Sequence, residues 1–346
     1  MLLTRWFGES KMKPAIYRHI KALYVCDKYF IGAKGYRLYK YDFTTKRYEY
    51  IGRVKDFKYA LLSNFKLTRR FFRAEINNLY NLPNGDSLII AKKGIFKCKK
   101  GCDIFVKCFN VPRGSRPLNL CITPNGTIYF GEYFANTSKE SVNIYASNDG
   151  GDNWSTVYTF PNGSINHIHG IFYDIYTERI WIATGDRENE CIIGYTEDGF
   201  QSIVKVFRGG QEYRTCNLYF YPDFITFATD SQYITNEIKC FNRNTLSVES
   251  LMSISGTAIK GGQCGELSFL STTVEPSEVN HDTYSHLWAS CNGKEWRDIY
   301  SAEKDSLPSI MQFGSIEFPY HDTDKFVMCS GRALKKIDGT SLKISL

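Results

Sequence analysis

The eight residues SNDGGDNW (147–154) lie between two apolar runs, VNIY (142–145) and TVYTF (156–160). Glycine adopts positive φ angles at little cost, and Asp or Asn side chains bind nearby backbone N–H groups, so this composition is typical of a tight turn. The stretch therefore predicts a hairpin whose two strands flank the turn. Trp154 is unexpected there, because so large an aromatic side chain is usually well buried.

The same strand-and-turn unit recurs along the chain at a nearly constant spacing. Seven copies, each aligned at its first large aliphatic residue, follow one another at intervals of 57, 49, 49, 45, 49 and 47 residues. A second unit precedes them, as in NLPNGDSLIIA (81–91) and ITPNGTIYFGE (122–132). Each period thus holds four strands, which is the signature of a β-propeller. The aligned residues are Leu38, Ile95, Ile144, Ile193, Ile238, Leu287 and Leu334.

These repeats predict an all-β chain that folds as one seven-bladed β-propeller with four-stranded antiparallel blades over residues 1–346. Clear amphipathic helices and Pro- or Gly-rich linkers are absent from the sequence, so we expect almost no helix and a single domain. Tight turns are expected at Asn84-Gly85, Asn125-Gly126, Gly150-Gly151 and Asn292-Gly293.

Composition and charge restrict the classes of partner. The formal net charge is +7, but the Lys and Arg residues are interspersed with acidic ones and no nucleic-acid-binding motif is recognisable. We therefore expect no nucleic-acid partner, and an acidic oligo- or polysaccharide is a reasonable ligand. Residues 1–20 lack a signal-peptide core, and no apolar run approaches about 18 residues, which predicts a cytoplasmic protein without a membrane span. The 11 scattered Cys residues favour reduced thiols.

Four positions of the opening turn match a known repeat. Ser147, Asp149, Gly151 and Trp154 fit the pattern Ser/Thr-x-Asp-x-Gly-x-x-Trp, so the stretch resembles the Asp-box, or BNR repeat, of the sialidase-like superfamily of β-propellers. The resemblance implies that the Ser and Asp side chains cap the turn while the Trp packs into its blade.

Two shorter stretches resemble degenerate copies of the same box. They are TEDG (196–199) and SCNGKEW (290–296), and the second ends in Trp296. Sialidases and other glycan-acting propellers carry such boxes, so the resemblance implies a glycan-related activity. It gives both Trp154 and Trp296 a structural role.

Polar side chains gather at the predicted starts of first strands and ends of second strands. In a propeller these strand ends open on the face around the central channel, where ligands usually bind. Buried charges are costly unless they are paired, so the cluster is either a ligand site or a structural network of ion pairs. The candidate residues are Arg73, Arg116, Glu132, His167, His169, Asp186, Gln211, Arg214, Asp230 and Glu266.

His167 and His169 lie on the same face of a strand, because side chains alternate with a period of two. Either residue is a candidate general acid or base, and the pair is a candidate site for a divalent metal. The His-x-His pattern on a strand resembles metal ligation in oligogalacturonate lyase, another propeller. Asp186 and Glu132 complete the candidate catalytic set, with Asp186 as the donor to a leaving oxygen in a hydrolase or as an orienting group for His in a lyase.

The remaining candidates suit substrate binding. Arginine binds carboxylates through two parallel hydrogen bonds, so Arg73, Arg116 and Arg214 are candidates for a carboxylate clamp that resembles the arginine triad of sialidases. Gln211 suits a sugar hydroxyl or a metal. Asp230 and Glu266 are further candidates for contacts with substrate.

The sequence thus favours a carbohydrate-active enzyme that cleaves an acidic glycan. A sialidase-like glycoside hydrolase is slightly preferred because of the Asp-box. A polysaccharide lyase acting on a uronic-acid-containing glycan remains open, as does a non-enzymatic propeller that binds glycan or protein.

Overall fold

The computed structural model describes residues 13–346, so residues 1–12 of the predicted 1–346 domain lie outside the described residues. Strands make up 51% of the structure and helices 7%, which confirms the all-β prediction. The described chain forms two compact units: unit 1 combines residues 13–74 with Ile254–Leu346, and unit 2 is Glu75–Ser253. No helix in the described part of the chain is both long enough and apolar enough to span a bilayer.

The elements follow one another in chain order. The first half contains β1 (Ala15–Tyr17), β2 (Lys21–Cys26), β3 (Tyr29–Lys34), β4 (Arg37–Asp42), β5 (Tyr48–Val54), α1 (Phe57–Leu62), α2 (Lys66–Phe72), β6 (Ile76–Asn81), β7 (Ser87–Ala91), β8 (Gly94–Cys98), β9 (Ile104–Asn110), β10 (Cys121–Ile122), β11 (Ile128–Gly131), β12 (Val142–Ser147) and β13 (Ser155–Phe160). The second half contains β14 (His167–Tyr173), β15 (Ile180–Gly185), β16 (Ile192–Thr196), β17 (Val204–Arg208), β18 (Thr215–Phe220), β19 (Phe224–Thr229), β20 (Asn236–Asn242), β21 (Val248–Ile254), β22 (Thr257–Cys264), β23 (Leu267–Val274), β24 (Tyr284–Ser290), β25 (Arg297–Glu303), β26 (Gly314–Glu317), β27 (Tyr320–Asp322), β28 (Phe326–Arg332) and β29 (Ser341–Ser345). Single 3-10 turns occur at Glu188–Glu190, Gln211–Tyr213 and Ser309–Met311.

Unit 2 consists of four antiparallel meanders of four strands each, β6–β9, β10–β13, β14–β17 and β18–β21. Successive meanders pack face to face through apolar side chains. Ile144 of β12 and Ile182 of β15 share one core cluster, and Ile193 of β16 and Phe227 of β19 share the next. The repeated unit of the sequence is therefore a four-stranded sheet whose two faces are both buried by its neighbours.

Unit 1 contains two further meanders, β2–β5 and β22–β25, and a third sheet in which β26, β28, β29 and β1 pair in that order. The seventh copy of the sequence repeat is aligned at Leu334 and predicts that this residue lies in the third strand of its blade. That placement is wrong: Leu334 lies between β28 and β29, and the outermost strand is β1, where Ala15 pairs with Lys343. The first and last strands of the described chain thus meet in one sheet.

Two short helices explain the one irregular interval of the repeat. The first two copies are 57 residues apart because α1 and α2 are inserted between β5 and β6. The Asp56 side chain caps α1 by accepting a hydrogen bond from the Tyr59 N–H at 3.1 Å.

The four predicted turns all join paired strands as expected. The turn between β12 and β13 is held by its own side chains: Asp149 accepts hydrogen bonds from the backbone of Asp152 and Asn153, and Ser147 accepts one from Gly151. Gly151 has φ of 90°, which favours glycine. Trp154 donates to the Gly151 carbonyl at 3.0 Å and is half-buried.

The same construction recurs in the two shorter copies. In the β16–β17 turn, Asp198 accepts from the Ser202 N–H, and Phe200 is buried. In the β24–β25 turn, Asn292 replaces the Asp, and the Trp296 indole donates to the Gly293 carbonyl at 3.0 Å. The aromatic residue of each turn is therefore an internal clamp, which accounts for a large ring beside a surface turn.

Candidate functional site

Four neighbouring segments of unit 2 bring six of the predicted residues together. His167 and His169 begin β14, and Asp186 directly follows β15, the strand paired with it. Gln211 and Arg214 lie in and just after the 3-10 turn before β18, and Asp230 directly follows β19. The strand ends chosen from the repeat thus meet at one place.

A local irregularity fits both histidines into the cluster. The pairing of β14 with β15 shifts between Ile168 and Gly170, so that His169 is the extra residue of a β-bulge. Gly185, opposite His167, leaves room for the His169 ring: a Cβ there would lie 2.5 Å from His169 Cε1 and 3.0 Å from its Nε2. A side chain at residue 185 is therefore incompatible with this ring position.

One carboxylate oxygen is the centre of the cluster. Asp186 Oδ1 lies 3.3 Å from His167 Nε2, 3.2 Å from His169 Nε2 and 3.0 Å from Arg214 Nη2. The other oxygen, Oδ2, accepts a hydrogen bond from Asn166 Nδ2 at 2.6 Å. Gln211 Nε2 donates to the Asp186 carbonyl at 2.8 Å, which fixes the backbone of this loop.

The second nitrogen of each histidine decides which atom carries the proton. His167 Nδ1 lies 3.1 Å from the Phe134 carbonyl, and His169 Nδ1 lies 2.9 Å from the Thr215 carbonyl. A carbonyl oxygen can only accept, so Nδ1 of His169 is a donor. For His167 the shorter contact, to the Phe134 carbonyl, favours the same arrangement over a hydrogen bond from Asn166 Nδ2, which is 3.4 Å from this Nδ1. In the neutral rings the Nε2 lone pairs therefore both point at the Asp186 carboxylate.

Three electron-pair donors facing one another repel unless a positive charge lies among them. The Arg214 guanidinium, 3.0 Å from Asp186 Oδ1, supplies one such charge at the side of the group. A cation held by the three atoms would supply another between the two Nε2 atoms and the carboxylate. His167 Nε2 has no partner in hydrogen-bonding geometry among the described residues, although it lies within ion-pair distance of Asp186. Metal-bound histidines commonly donate their other N–H to a backbone carbonyl, as these two do.

The separations fit a metal ion. Two ligands each about 2.1 Å from one ion lie about 3.0–3.4 Å apart in octahedral or tetrahedral geometry. The observed Nε2–Oδ1 separations, 3.2 and 3.3 Å, fall in that range. Two imidazoles and a carboxylate suit zinc, manganese or iron.

Asp186 is held as a carboxylate. Burial alone would raise the pKa of Asp186, but hydrogen bonds and positive charge from His167 and His169 lower that pKa well below its usual range. A metal ion held between the same atoms would act in the same direction. An anion of this kind is a ligand or orienting group and a poor proton donor. This favours the orienting role predicted for Asp186 over its predicted role as an acid.

A second buried layer supports Arg214 from behind. Burial raises the pKa of Asp230, although Arg214, whose Nη2 is 3.8 Å from Asp230 Oδ2, opposes that rise. Cys216 Sγ donates to the same carboxylate oxygen at 3.3 Å. His169, Cys216 and Asp230 are also close enough to share an ion, but all three are buried behind the first group.

The cluster is open to solvent on one side. The Asp186 side chain is 28% exposed, whereas that of His169 is 1% exposed. The half-buried Tyr133 ring lies 4.2 Å from that of His167, measured between centroids. Beside the cluster is a cleft of about 670 Å³, lined in part by Arg187 and Arg208. The cleft thus offers space for a ligand, and its two arginines are balanced by Glu188 and Glu212.

Four predicted residues are not among those that meet at Asp186: Arg73, Arg116, Glu132 and Glu266. The Glu132 carboxylate instead forms a buried ion pair with Arg113 and accepts a hydrogen bond from the Asn143 N–H at 2.9 Å. Arg116 donates to the Pro117 carbonyl at 3.3 Å.

The other two lie in unit 1. Arg73 has a left-handed backbone conformation at the end of α2. Glu266 lies in the turn between β22 and β23, because the first strand of that sheet begins at Thr257 and not near Gln263. The sequence predicted that the first strand of this sheet begins near Gln263, so the predicted start is wrong by about the length of one strand.

Sequence analysis missed Asn166, Arg113 and Cys216. Asn166 directly precedes the His-x-His pair, and this adjacency was the only available signal. Arg113 lies in a loop where the repeat gives no register, and its partner Glu132 is 19 residues away. Cys216 has an inconspicuous place in an apolar strand.

Comparison with known proteins places the chain by its fold. No family model matches it, and no curated protein matches it. Oligogalacturonate lyase in complex with manganese is similar with a TM-score of 0.60 at 10% identity, over 96% of this chain and 91% of that one. YCF48 from Cyanidioschyzon merolae gives 0.56 at 13% identity, over 96% and 99%. The Niastella koreensis GH74 enzyme gives 0.54 at 12% identity, over 82% of this chain and 46% of that one. At these identities the likeness supports a β-propeller fold and nothing finer.

Proposed function

We propose that the chain is a metal-dependent carbohydrate-active enzyme that cleaves an acidic glycan at a uronic acid residue by elimination. The observation that carries the proposal is the convergence of three electron-pair donors: His167 Nε2, His169 Nε2 and Asp186 Oδ1, with both Nδ1 atoms committed to backbone carbonyls. Solved carbohydrate-active propellers of similar fold, one of them a manganese-bound lyase, are consistent with it.

The geometry favours the lyase over the hydrolase. A sialidase-like hydrolase needs a protonated acid and an arginine clamp, but Asp186 is held as an anion and Arg116 contacts a backbone carbonyl. The Glu132 carboxylate is already bound by Arg113. Lyase chemistry needs a neutralised substrate carboxylate and a base, and the cluster offers positive groups for the first requirement.

Each residue has a proposed role. A divalent cation held by His167, His169 and Asp186 would draw electron density from a bound uronate carboxylate and so acidify the adjacent C–H bond. Arg214 would bind that carboxylate through its guanidinium. Tyr133 is the candidate base for the released proton, since its ring is in contact with His167 at the exposed side of the site.

The finer description of the fold belongs to the same proposal. We infer seven blades, counting the four meanders of unit 2 and the three sheets of unit 1. We also infer that the turns at 147–154, 196–199 and 290–296 are copies of the Asp-box, because each is capped by the Asp or Asn of its own pattern.

The competing function is a binding propeller in which the charged groups hold only one another. It is favoured by the ion-pair distances from Arg214 to both Asp186 and Asp230.

The test is incubation with polygalacturonate and other acidic polysaccharides, with and without Mn²⁺ or Zn²⁺ after chelation. Metal-dependent appearance of the ultraviolet absorbance of an unsaturated uronate, abolished in His167→Ala, supports the lyase. New reducing ends without that absorbance indicate a hydrolase, and binding without cleavage indicates the scaffold.

A further inference from the structure

Unit 1 contains a cleft of about 1480 Å³ that is strongly basic. Ten Lys or Arg residues and three Asp residues line it, an excess of seven positive charges. Two of these cations pair with acids outside the lining, Lys21 with Glu317 and Lys335 with Glu303, which leaves an excess of five positive charges. A concentration of this kind attracts anions over a distance of about 10 Å in dilute salt.

Two of the cations oppose each other without compensation. Arg37 of β4 and Arg53 of β5 are directly paired across the antiparallel strands, and both are exposed. Like charges at paired positions destabilise a sheet. In the described part of the chain neither guanidinium has an acidic partner, so this arrangement is costly unless an external anion binds there.

The two helices beside this cleft, α1 and α2, reverse the usual arrangement: a charged side chain is buried and large apolar side chains are exposed. The Arg70 side chain of α2 is fully buried, where it pairs with Asp305 and donates to the Met311 carbonyl at 2.6 Å. Arg69 is also turned inward, onto Asp338 at 2.7 Å. The basic side of α2 therefore holds the helix on unit 1.

The outward side of both helices is apolar. Exposed residues of α1 and α2 include Phe57 at 87%, Phe71 at 52% and Phe72 at 42%. Leu61 and Leu67 are also more than half exposed. A group of large exposed apolar side chains on two short successive helices is typical of an interaction site. Phe57 and Leu61 line the basic cleft itself, so apolar and cationic groups face the same space.

We propose that unit 1 docks on an anionic membrane surface through α1, α2 and the basic cleft. A bilayer of anionic lipid offers phosphate groups for the cations and an acyl boundary for the Phe and Leu side chains. A dissolved polyanion would satisfy the arginines but would leave the apolar side chains in water. The cations of the cleft and the exposed apolar side chains of α1 and α2 therefore both favour an anionic membrane surface as the partner.

The test is co-sedimentation of the full chain with vesicles of phosphatidylcholine, with and without phosphatidylglycerol. Binding is expected only to the vesicles that contain phosphatidylglycerol, and salt should weaken it. Arg37→Gln/Arg53→Gln should lower the affinity about thirtyfold, from the usual contribution of two cations near such a surface. The same variant should melt at or above the wild-type temperature, because it removes a like-charge pair.

A second variant separates the apolar contribution. Phe71→Ser/Phe72→Ser should lower vesicle affinity about tenfold. The matched control is Ile175→Ser, an apolar residue in unit 2 that is 69% exposed. It should bind vesicles as the wild type does. Equal binding to both vesicle types, no binding to either, binding of soluble heparin or polygalacturonate at this cleft in place of vesicles, or unaltered vesicle binding by both double variants would overturn the proposal.

Discussion

Gly185→Ala tests the geometry of the candidate metal site from a position that offers no ligand. The new Cβ would lie 2.5 Å from His169 Cε1, 3.0 Å from its Nε2 and 3.2 Å from Arg214 Cγ. Carbon atoms normally approach to about 3.5–4.0 Å, so the imidazole ring must move by about 1 Å. Gly185 is in strand conformation, so the substitution adds steric conflict without backbone strain.

The magnitude follows from the cost of overpacking. Such a conflict costs about 1–3 kcal/mol, and relief requires His169 to leave its position. If the whole cost falls on metal binding, the affinity drops by a factor of about 5–150, at about 1.4 kcal/mol for each tenfold change. Titration calorimetry with Mn²⁺ and Zn²⁺ on the chelated protein measures that factor.

The matched control for this experiment is the His169→Ala background. There the ring is gone and only the 3.2 Å approach to Arg214 Cγ remains, so adding Gly185→Ala should lower the melting temperature and the residual metal affinity much less than it does in the wild type. The reasoning is refuted if Gly185→Ala alone binds metal as tightly as the wild type. It is equally refuted if the substitution destabilises the protein by the same amount whether or not His169 is present.

Three further predictions concern stability. Trp154→Ala should cost about 3 kcal/mol, the low end for a large aromatic because the ring is only half-buried, and leave glycan cleavage per folded molecule unchanged; denaturant unfolding with activity assays checks both. Hydrogen bonds from the Asn153 backbone and side chain lower the pKa of Asp149 to about 2. Because the folded-state pKa is depressed, this carboxylate stabilises the fold above about pH 4 and the contribution is lost as pH falls toward 2. The difference in melting temperature between wild type and Asp149→Asn should therefore narrow over that interval, and a constant difference contradicts it. Arg113→Ala leaves the buried Glu132 carboxylate without its cation and should cost about 3 kcal/mol, whereas Arg113→Ala/Glu132→Gln should cost less; equal losses in urea unfolding would exclude a buried ion pair as the cause.

Local sequence patterns predicted much of the fold. The period near 49 residues corresponds to four-stranded meanders, and each Asx-Gly turn joins paired strands, because turn chemistry acts over a few residues. The pairing of β1 with β29 was not predictable in this way. It joins residues more than 320 positions apart. Only this pairing shows that β26, β28 and β29 receive their outermost strand, β1, from the start of the described chain. The short helices α1 and α2 lack a full amphipathic period, and their buried Arg70 inverts the usual pattern.

The residues of the candidate site could be predicted from the sequence to a similar extent. His167, His169, Asp186, Gln211, Arg214 and Asp230 were chosen as strand-end residues, and the structure places them together, because residues at corresponding ends of neighbouring strands meet. Glu132 satisfies the same criterion, but its side chain turns to Arg113, a loop residue whose position no repeat specifies. The prediction for Glu266 failed because β22 contains Lys260, Gly261 and Gly262 and lacks an apolar strand pattern, so the apolar strand after it was taken as the first of its sheet.

The claim that His167, His169 and Asp186 hold a metal ion is tested most directly by an anomalous difference map of crystals soaked in Mn²⁺ or Zn²⁺. The account predicts one strong peak about 2.1 Å from His167 Nε2, His169 Nε2 and Asp186 Oδ1, lost in crystals of His167→Ala. A map without a peak at this position, with both imidazoles still directed at Asp186 at the separations seen here, would mean that the cluster is a network of ion pairs and hydrogen bonds and that no metal ion binds there.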